Sequence, residues 1–95
     1  MYDLQYAKPA EQYLKKINDK NLLDAFKKAL DEIKKNPYIG KQKTGDLRGL
    51  YGFDVYHSGI NYELAYRIVE KNGKTVIIIL AGTRENFYKE LKRLI

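Results

Sequence analysis

A small set of charged and aromatic side chains stands where the predicted strands and helices end. His57 lies in the turn after the second predicted strand, and Lys41 and Lys43 lie in the polar loop before that strand. Arg84 and Tyr88 are four residues apart at the start of the last predicted helix, so both point to one side of it. Because strand ends meet in an antiparallel meander, we expect these five side chains to converge.

Side chains of these types suit the cleavage of a phosphodiester. Lysine and arginine offset the charge of a phosphate and stabilise a developing phosphorane. Histidine is the side chain whose ordinary pKa lies nearest neutrality, so it is suited to moving a proton. A tyrosine offers a ring on which a base stacks, together with a hydroxyl group. The set therefore predicts a site that binds a phosphodiester and transfers a proton.

Each of these residues also has a purely structural explanation. A lone histidine in a turn is often only an exposed polar side chain, and charged residues at a helix start are often surface charges. The helix dipole disfavours arginine there by roughly a few tenths of a kcal/mol, which favours a function for Arg84. Tyr6, Tyr13 and Tyr66 fall on predicted apolar faces and are expected in the core.

The elements that must position these side chains follow from the spacing of the apolar residues. Residues 2–6 alternate and predict a short strand. Pro9 suits the first turn of a helix whose apolar positions continue to Ile17. Residues 18–21 end that helix and cap a second one. Asn36 ends the second helix, because the residue before a proline avoids helical angles.

From Leu47 onward the spacing changes to the two-residue period of strands. Residues 51–56 and 62–68 alternate on either side of a turn, and an Asn-Gly pair predicts a hairpin into the apolar strand 76–81. A last helix follows. This order predicts one α+β domain over residues 1–95, with two N-terminal helices packed on a four-stranded, mainly antiparallel sheet and a short C-terminal helix.

The alternation assigns each strand residue to one face of the sheet. The positions expected to face the two helices and to be largely buried are Tyr51, Phe53, Val55, Leu64, Tyr66, Ile68, Ile77 and Ile79. The opposite face would present Arg48, Gly52, Asp54, Glu63, Ala65 and Arg67. Polar side chains on a central sheet face are explained either by solvent or by a substrate groove.

The composition limits the classes of site and partner. The 95 residues include no cysteine and one histidine, which excludes a disulfide framework and metal sites rich in cysteine or histidine. The net charge of +6 favours a polyanion such as nucleic acid, an anionic membrane surface or an acidic protein, although a solvated lysine-rich surface explains it equally. Without a recognisable signal peptide or membrane span, we expect a cytoplasmic protein that does not bind membranes.

Three segments carry a resemblance to a known family. They are TGDLRG at 44–49, ELAYRI at 63–68 and AGTRENFYKEL at 81–91. In this order and at this spacing they resemble the RelE/ParE superfamily of type II toxins, and most closely its YafQ-like branch of mRNA interferases. The resemblance covers nearly the whole chain and implies the same order of strands and helices.

The resemblance implies an activity and a set of partners. It implies a ribosome-dependent endoribonuclease that needs no metal or other cofactor. In that reaction the 2′-hydroxyl of the mRNA attacks the adjacent phosphate and leaves a 2′,3′-cyclic phosphate. It also implies binding to an acidic cognate antitoxin in a hetero-oligomer.

The resemblance assigns roles residue by residue. His57 matches a catalytic histidine of the branch, Tyr88 matches an aromatic residue that orders the site, and Arg84 stands where the branch has a second histidine. Lys41 replaces another histidine of the branch, Asn61 an acidic residue, and Tyr62 matches an aromatic one. The residues expected to contact RNA are Lys41, Lys43, Arg48, Asn61, Tyr62 and Arg67.

The chain also departs from the family pattern. Arg84 removes a proton-transfer group, because arginine stays charged at any accessible pH. Asp54 and Glu63 stand where basic residues occur in RelE, so one of them is a possible general base, or the two together repel RNA. Two other functions therefore stay open, a ParE-like inhibitor of DNA gyrase and an attenuated homologue that only binds its antitoxin.

Overall fold

The computed structural model describes residues 1–95 and contains three α-helices and five strands. The helices are α1 (Lys8–Lys15), α2 (Lys20–Lys35) and α3 (Phe87–Leu94). The strands are β1 (Asp3–Tyr6), β2 (Lys41–Gln42), β3 (Tyr51–His57), β4 (Ile60–Val69) and β5 (Thr75–Thr83). Short 3₁₀ turns occupy Pro37–Ile39, Gly45–Leu47 and Arg84–Asn86. None of the three α-helices has the length and apolar composition of a membrane-spanning segment.

The strands form one mixed sheet in the order β1-β5-β4-β3-β2. β1 runs parallel to β5, and the other neighbours are antiparallel. The α+β class and the mainly antiparallel sheet are therefore confirmed, but the expected number of four strands is wrong. The fifth strand, β2, pairs Lys41 with Gly52 and Gln42 with Tyr51. Two residues are too few to show an alternating pattern, so the sequence presented this segment as a loop.

Both N-terminal helices pack on one face of the sheet and form the larger core. Phe26 and Ile33 of α2 are fully buried against Leu64 and Ile78 of the sheet. Asp19 caps the start of α2, since its carboxylate accepts hydrogen bonds from two backbone amides of the first turn. The amphipathic spacing thus places α2 across the sheet as expected.

The faces of β3 and β4 are as predicted, whereas those of β5 are not. Val55, Leu64 and Tyr66 are buried, and Tyr51, Phe53 and Ile68 are half-buried. On β5, however, the buried residues are Val76, Ile78 and Leu80, while the predicted Ile77 and Ile79 are half-buried. A strand that is apolar throughout gives no alternation from which its faces could be read.

An irregularity in the β4–β5 pairing explains why buried residues on β5 change face. Ala65 pairs with Leu80 and Tyr66 pairs with Ile78, so Ile79 has no partner on β4. This bulge turns Leu80 toward the face opposite α1 and α2. The strand therefore contributes to two cores.

The second core covers part of the face that the sequence left open to solvent. It consists of Leu47, Leu50, Ala65, Leu80, Phe87 and Leu91. Phe87 and Leu91 lie on α3, and Leu47 and Leu50 belong to the β2–β3 connection. Part of the polar face is therefore covered, and α3 borders the part that remains accessible.

A buried tyrosine attaches the segment before β2 to the sheet. The Tyr66 hydroxyl donates a hydrogen bond of 2.6 Å to the Pro37 carbonyl. Burial raises the pKa of Tyr66 to about 12. A Cβ at Gly40 would collide with this hydroxyl, so the close approach of the segment requires glycine there.

We predict that Tyr66→Phe destabilises the protein. Removal of the hydroxyl leaves the Pro37 carbonyl buried without a donor, which costs about 1–3 kcal/mol. Urea denaturation measures the loss of unfolding free energy. Tyr56→Phe is the matched control, because Tyr56 is exposed and its hydroxyl makes no hydrogen bond. Equal stabilities of the two variants would contradict the anchoring role of Tyr66.

A carboxylate at the end of β4 joins the N-terminus to the segment after α2. The Glu70 carboxylate accepts hydrogen bonds from the Tyr2 hydroxyl at 2.5 Å and from the Tyr38 hydroxyl at 2.6 Å. These two bonds lower the pKa of Glu70 from its ordinary value of 4.5. The hydrogen bond from the Tyr38 hydroxyl to Glu70 likewise raises the pKa of Tyr38 to about 12.

We predict that Glu70 stabilises the fold only where it is ionised. A lowered pKa in the folded state adds stability above the ordinary pKa, and that stability is lost as the pH falls through the lowered pKa. Glu70→Gln should therefore be less stable than the parent at about pH 7 and approach it at about pH 3. Urea midpoints across this range test the effect, with the exposed Glu32→Gln as control. A stability difference that does not change with pH would refute it.

Candidate active site

The accessible part of the polar sheet face contains a cavity of about 430 Å³. We call it the charged cavity. Its ionisable lining residues are Lys41, Lys43, Asp54, Glu63, Arg84 and Tyr88. They come from β2, the β2–β3 connection, β3, β4 and the segment that begins α3. Four of the five predicted catalytic or phosphate-binding side chains therefore converge, and two carboxylates join them.

The centre of the cavity is a buried ion pair. Lys43 Nζ lies 2.7 Å from Glu63 Oε2, with side-chain exposures of 8% and 3%. A buried charge is tolerated only with a close opposite charge, so each of these two side chains depends on the other. Gly52 makes the space for them, because a Cβ there would collide with Glu63 Oε2 and lie 3.0 Å from Lys43 Nζ.

Lys43 also contacts Tyr88 of α3. Its ammonium donates to the Tyr88 hydroxyl oxygen at 3.3 Å and lies 4.5 Å from the centre of the ring. A phenol oxygen that accepts from lysine keeps its own proton available for another acceptor. The buried neighbours Phe87 and Leu91 fix α3 and so hold the half-exposed Tyr88 at the edge of the cavity.

Arg84 connects the two carboxylates of the cavity. Its Nη1 donates to Asp54 Oδ1 at 3.1 Å and to Oδ2 at 3.3 Å. Its Nε lies 3.9 Å from Glu63 Oε1. Arg84 and Asp54 are each about half exposed, at 46% and 56%. This second ion pair therefore faces solvent, unlike the pair between Lys43 and Glu63.

Two buried acceptor oxygens in the structure lack a hydrogen-bond donor. They are Glu63 Oε1 and Asn61 Oδ1, two residues apart on the same face of β4. Buried polar atoms are normally paired. Glu63 Oε1 is therefore positioned to accept a proton or a hydrogen bond from a ligand in the charged cavity.

His57 lies apart from this group. It is on the same face of β3 as the buried Val55, which is the face covered by α1 and α2. Its Nε2 lies 3.7 Å from Asp19 Oδ2 at the start of α2. The expectation that His57 converges with Arg84 and Tyr88 is therefore wrong, because the two-residue period of β3 places residues 54 and 57 on opposite faces.

The other predicted RNA contacts are divided among three places. Tyr62 is buried in the larger core, with its ring 5.6 Å from that of Phe26, and has little surface to offer RNA. Asn61 is half-buried on the polar face. Arg48 and Arg67 are exposed and line a separate depression of about 450 Å³. Only Lys41 and Lys43 of the six residues line the charged cavity.

The expected placement of Asp54 opposite Glu63 is correct, but the expected acidic patch is not. Asp54 lies directly opposite Glu63 across β3 and β4, as the alternation predicted. The two do not form an isolated acidic patch, however, since each binds a different cation. Sequence reasoning placed Lys43 in a loop near RNA and did not find its pairing with Glu63. Gly52, near the start of β3, was the available signal, because glycine within a strand often marks a close approach of other groups.

The structure contains no group of three or more His, Cys, Asp or Glu side chains that could hold a metal ion. Lysine and arginine side chains suit a phosphate ligand, a carboxylate such as that of Glu63 can accept a proton, and a hydroxyl such as that of Tyr88 can donate one.

Comparisons with known proteins agree with the fold. A chain of the intact E. coli RelBE toxin-antitoxin complex superposes with a TM-score of 0.73 and 25% identity, covering 90% of this chain and 99% of that one. A chain of the Mycobacterium tuberculosis RelBE2 toxin-antitoxin complex gives 0.68 and 26%, covering 87% and 98%. A mutant of E. coli toxin RelE in the free state gives 0.74 and 23%, covering 99% and 98%, which bears on the fold alone.

The sequence comparison gives the family. No curated protein sequence matches the chain significantly. Residues 4–92 match a family described as the ParE-like toxin of type II bacterial toxin-antitoxin systems. The finer assignment to the YafQ-like branch stays a prediction. The match spans nearly the whole domain and agrees with the superpositions, so the chain belongs to the ParE-like toxin family of the RelE/ParE superfamily.

Proposed function

We propose that this toxin is an endoribonuclease that cuts mRNA on the ribosome and so stops translation. The observation that carries the proposal is the charged cavity, in which cations, a buried carboxylate with one unpartnered oxygen and a tyrosine hydroxyl surround one space. These are the groups that cleavage of RNA by its own 2′-hydroxyl requires. The RelE-type neighbours are the toxins of toxin-antitoxin complexes, which supports the same class of activity.

Each cavity residue has a role in the proposed reaction. Arg84 and Lys41 hold the scissile phosphate and offset the charge that develops on it. Glu63 Oε1 takes the proton of the 2′-hydroxyl as the 2′-oxygen bonds to phosphorus. Tyr88 gives its proton to the 5′-oxygen as the bond between phosphorus and that oxygen breaks. The products are a 2′,3′-cyclic phosphate and a 5′-hydroxyl.

Lys43 acts through its neighbours in this proposal. Its contact with Oε2 fixes the Glu63 carboxylate and leaves Oε1 for the substrate. Its hydrogen bond to the Tyr88 oxygen stabilises the phenolate that remains after proton donation. Glu63 Oε1 is buried beside Arg84 Nε, so movement of Arg84 toward a phosphate would open this oxygen to the ribose.

In this proposal Glu63, and not His57, accepts the proton of the 2′-hydroxyl. His57 faces Asp19 on the helix side of the sheet and does not line the charged cavity. A general base must lie within hydrogen-bond reach of the proton that it takes. Glu63 lines the charged cavity and would come within that reach once Arg84 moves toward the phosphate, whereas His57 lies outside the cavity.

A ParE-like gyrase inhibitor is the second candidate, favoured by the description of the matching family. The paired state of Arg84 and Lys43 also suits a protein-binding toxin, because neither cation is free in the unliganded protein. Inducible expression with parallel labelling of protein and DNA synthesis separates the two. Translation stops first for a ribonuclease, and DNA damage appears first for a gyrase inhibitor.

We propose an acidic antitoxin as the normal partner of the toxin. The net charge of +6 attracts an acidic segment, and related chains occur in toxin-antitoxin complexes. Such a segment laid over the charged cavity would exclude RNA. Assembly into a toxin-antitoxin hetero-oligomer would therefore keep the toxin inactive.

We predict that cavity variants lose cleavage of mRNA on programmed ribosomes. Glu63→Gln should slow the chemical step by about 10²–10⁴ because a proton acceptor is removed. Arg84→Ala should slow it by about 10²–10³ because one phosphate-stabilising donor is removed. Primer extension locates the cut, and single-turnover rates at saturating toxin measure the step.

His57→Ala is the comparison for these variants, and it should cleave within about threefold of the parent. Urea denaturation of each variant separates loss of chemistry from loss of folding, which matters for Glu63→Gln because Lys43 would lose its buried partner. If His57→Ala lost cleavage and Glu63→Gln kept it, the assignment of the general base would be wrong.

We predict that the antitoxin binds less tightly as the salt concentration rises. Raising monovalent salt from about 0.1 M to about 0.5 M shortens the screening length and should weaken binding by about tenfold. Isothermal titration calorimetry measures the dissociation constant, and sucrose at equal osmolality is the control. A constant affinity across this range would show that charge contributes little to the complex.

A further inference from the structure

We infer that Asp54 occupies the position on Arg84 where a phosphate group of the substrate binds, and that Asp54 thereby weakens the affinity of the toxin for RNA. This inference rests on the proposed function. In this inference Asp54 competes with the substrate phosphate for Arg84, and Glu63 remains the general base. Substitution of Asp54 should therefore strengthen binding, whereas substitution of its partner Arg84 should weaken it.

The geometry of the pair supports this assignment. Both oxygens of Asp54 lie within 3.1–3.3 Å of Arg84 Nη1. A carboxylate and a phosphate present oxygens to a guanidinium in the same way, and arginine binds either group. Both side chains line the charged cavity and are about half exposed, so a phosphate from solvent reaches the same donor.

The energetics favour displacement of Asp54 rather than of Glu63. An exposed ion pair contributes little, because water solvates the separated side chains almost as well. The pair of Lys43 and Glu63 is almost fully buried, and separating it would leave an uncompensated charge in the protein. An incoming phosphate therefore takes Arg84 from Asp54 while Lys43 and Glu63 stay together.

Arg84 also has a second, longer contact in the cavity. Its Nε lies 3.9 Å from Glu63 Oε1. Asp54, in contrast, makes no other ion pair or side-chain hydrogen bond. After displacement the Asp54 carboxylate stays on β3 beside the phosphate, where like charges repel. Competition and repulsion both lower the affinity for RNA.

The test compares the affinities of the parent and Asp54→Asn for one RNA probe. The probe is a fluorescent 2′-O-methyl trinucleotide, which carries phosphates but has no nucleophilic hydroxyl, so no cleavage occurs. Fluorescence polarisation at low salt measures its dissociation constant without ribosomes. Asp54→Asn should bind about threefold to tenfold more tightly, since an exposed pair and one like charge are removed.

Two further variants decide whether the gain is local. Asp31→Asn makes the same change of net charge on an exposed helix position far from the cavity, and its affinity should stay near that of the parent. In Arg84→Gln the probe should bind less tightly, and adding Asp54→Asn to it should give a much smaller gain. Equal gains from Asp54→Asn and Asp31→Asn, or an equal gain with and without Arg84, would overturn the inference.

Binding of this probe and cleavage of mRNA are separate measurements, so each can refute its own proposal without refuting the other. If Asp54→Asn binds the probe more tightly through Arg84 while the toxin does not cut mRNA, the inference stands and the proposed function falls. If the toxin cuts mRNA but Asp54→Asn binds no more tightly than the parent, the inference falls and the proposed function stands. Urea denaturation confirms that Asp54→Asn is folded, as expected for a change at an exposed pair.

Discussion

The buried ion pair of Lys43 and Glu63 is the interaction on which the rest of the site depends. Desolvation of either charge alone would cost several kcal/mol, so the two side chains must be held together at close range. That requires the β2–β3 connection to lie tightly on the sheet. Gly52 permits the approach beneath Lys43, and Tyr66 with Gly40 attaches the preceding segment.

This pair also determines how charge is distributed. The chain carries +6, yet two of the three cations that line the charged cavity are paired with carboxylates. Lys41 is the third, and it has no ion pair. The excess positive charge therefore lies largely on the surrounding surface, where it attracts a polyanion over a distance.

The accuracy of the sequence predictions followed the strength of the local patterns. Alternation in β3 and β4 placed Asp54 opposite Glu63 and put Val55 and Leu64 in the core, because each strand has one apolar face. The alternation of β3, extended to residue 57, places His57 on the face of Val55. The turn at Ser58 and Gly59 follows directly, so the sequence does not show that His57 still belongs to the strand.

Other features left no signal in the sequence. The bulge opposite Ala65 and Tyr66 exchanges the faces of β5, and a run of apolar residues looks the same before and after the exchange. The pairing of Lys43 with Glu63 joins residues of the β2–β3 connection and β4, and many other pairings of lysine and glutamate were equally compatible with the composition. The close approach of the β2–β3 connection to the sheet at Gly52 brings these two residues together.

Asp54 and Glu63 show why residue type alone does not assign a role. They are directly opposed on neighbouring strands, and each binds one cation. Their exposures of 56% and 3% make them different groups, because solvent stabilises a separated Asp54 but not a separated Glu63. A ligand that competes for a cation in this cavity can therefore separate Arg84 from Asp54 at little cost in free energy. The pair of Lys43 and Glu63 stays intact. The difference between the two carboxylates arises from their places in the sheet, because Glu63 lies on the central strand β4 beneath Lys43, whereas Asp54 lies on β3 beyond the two residues that pair with β2.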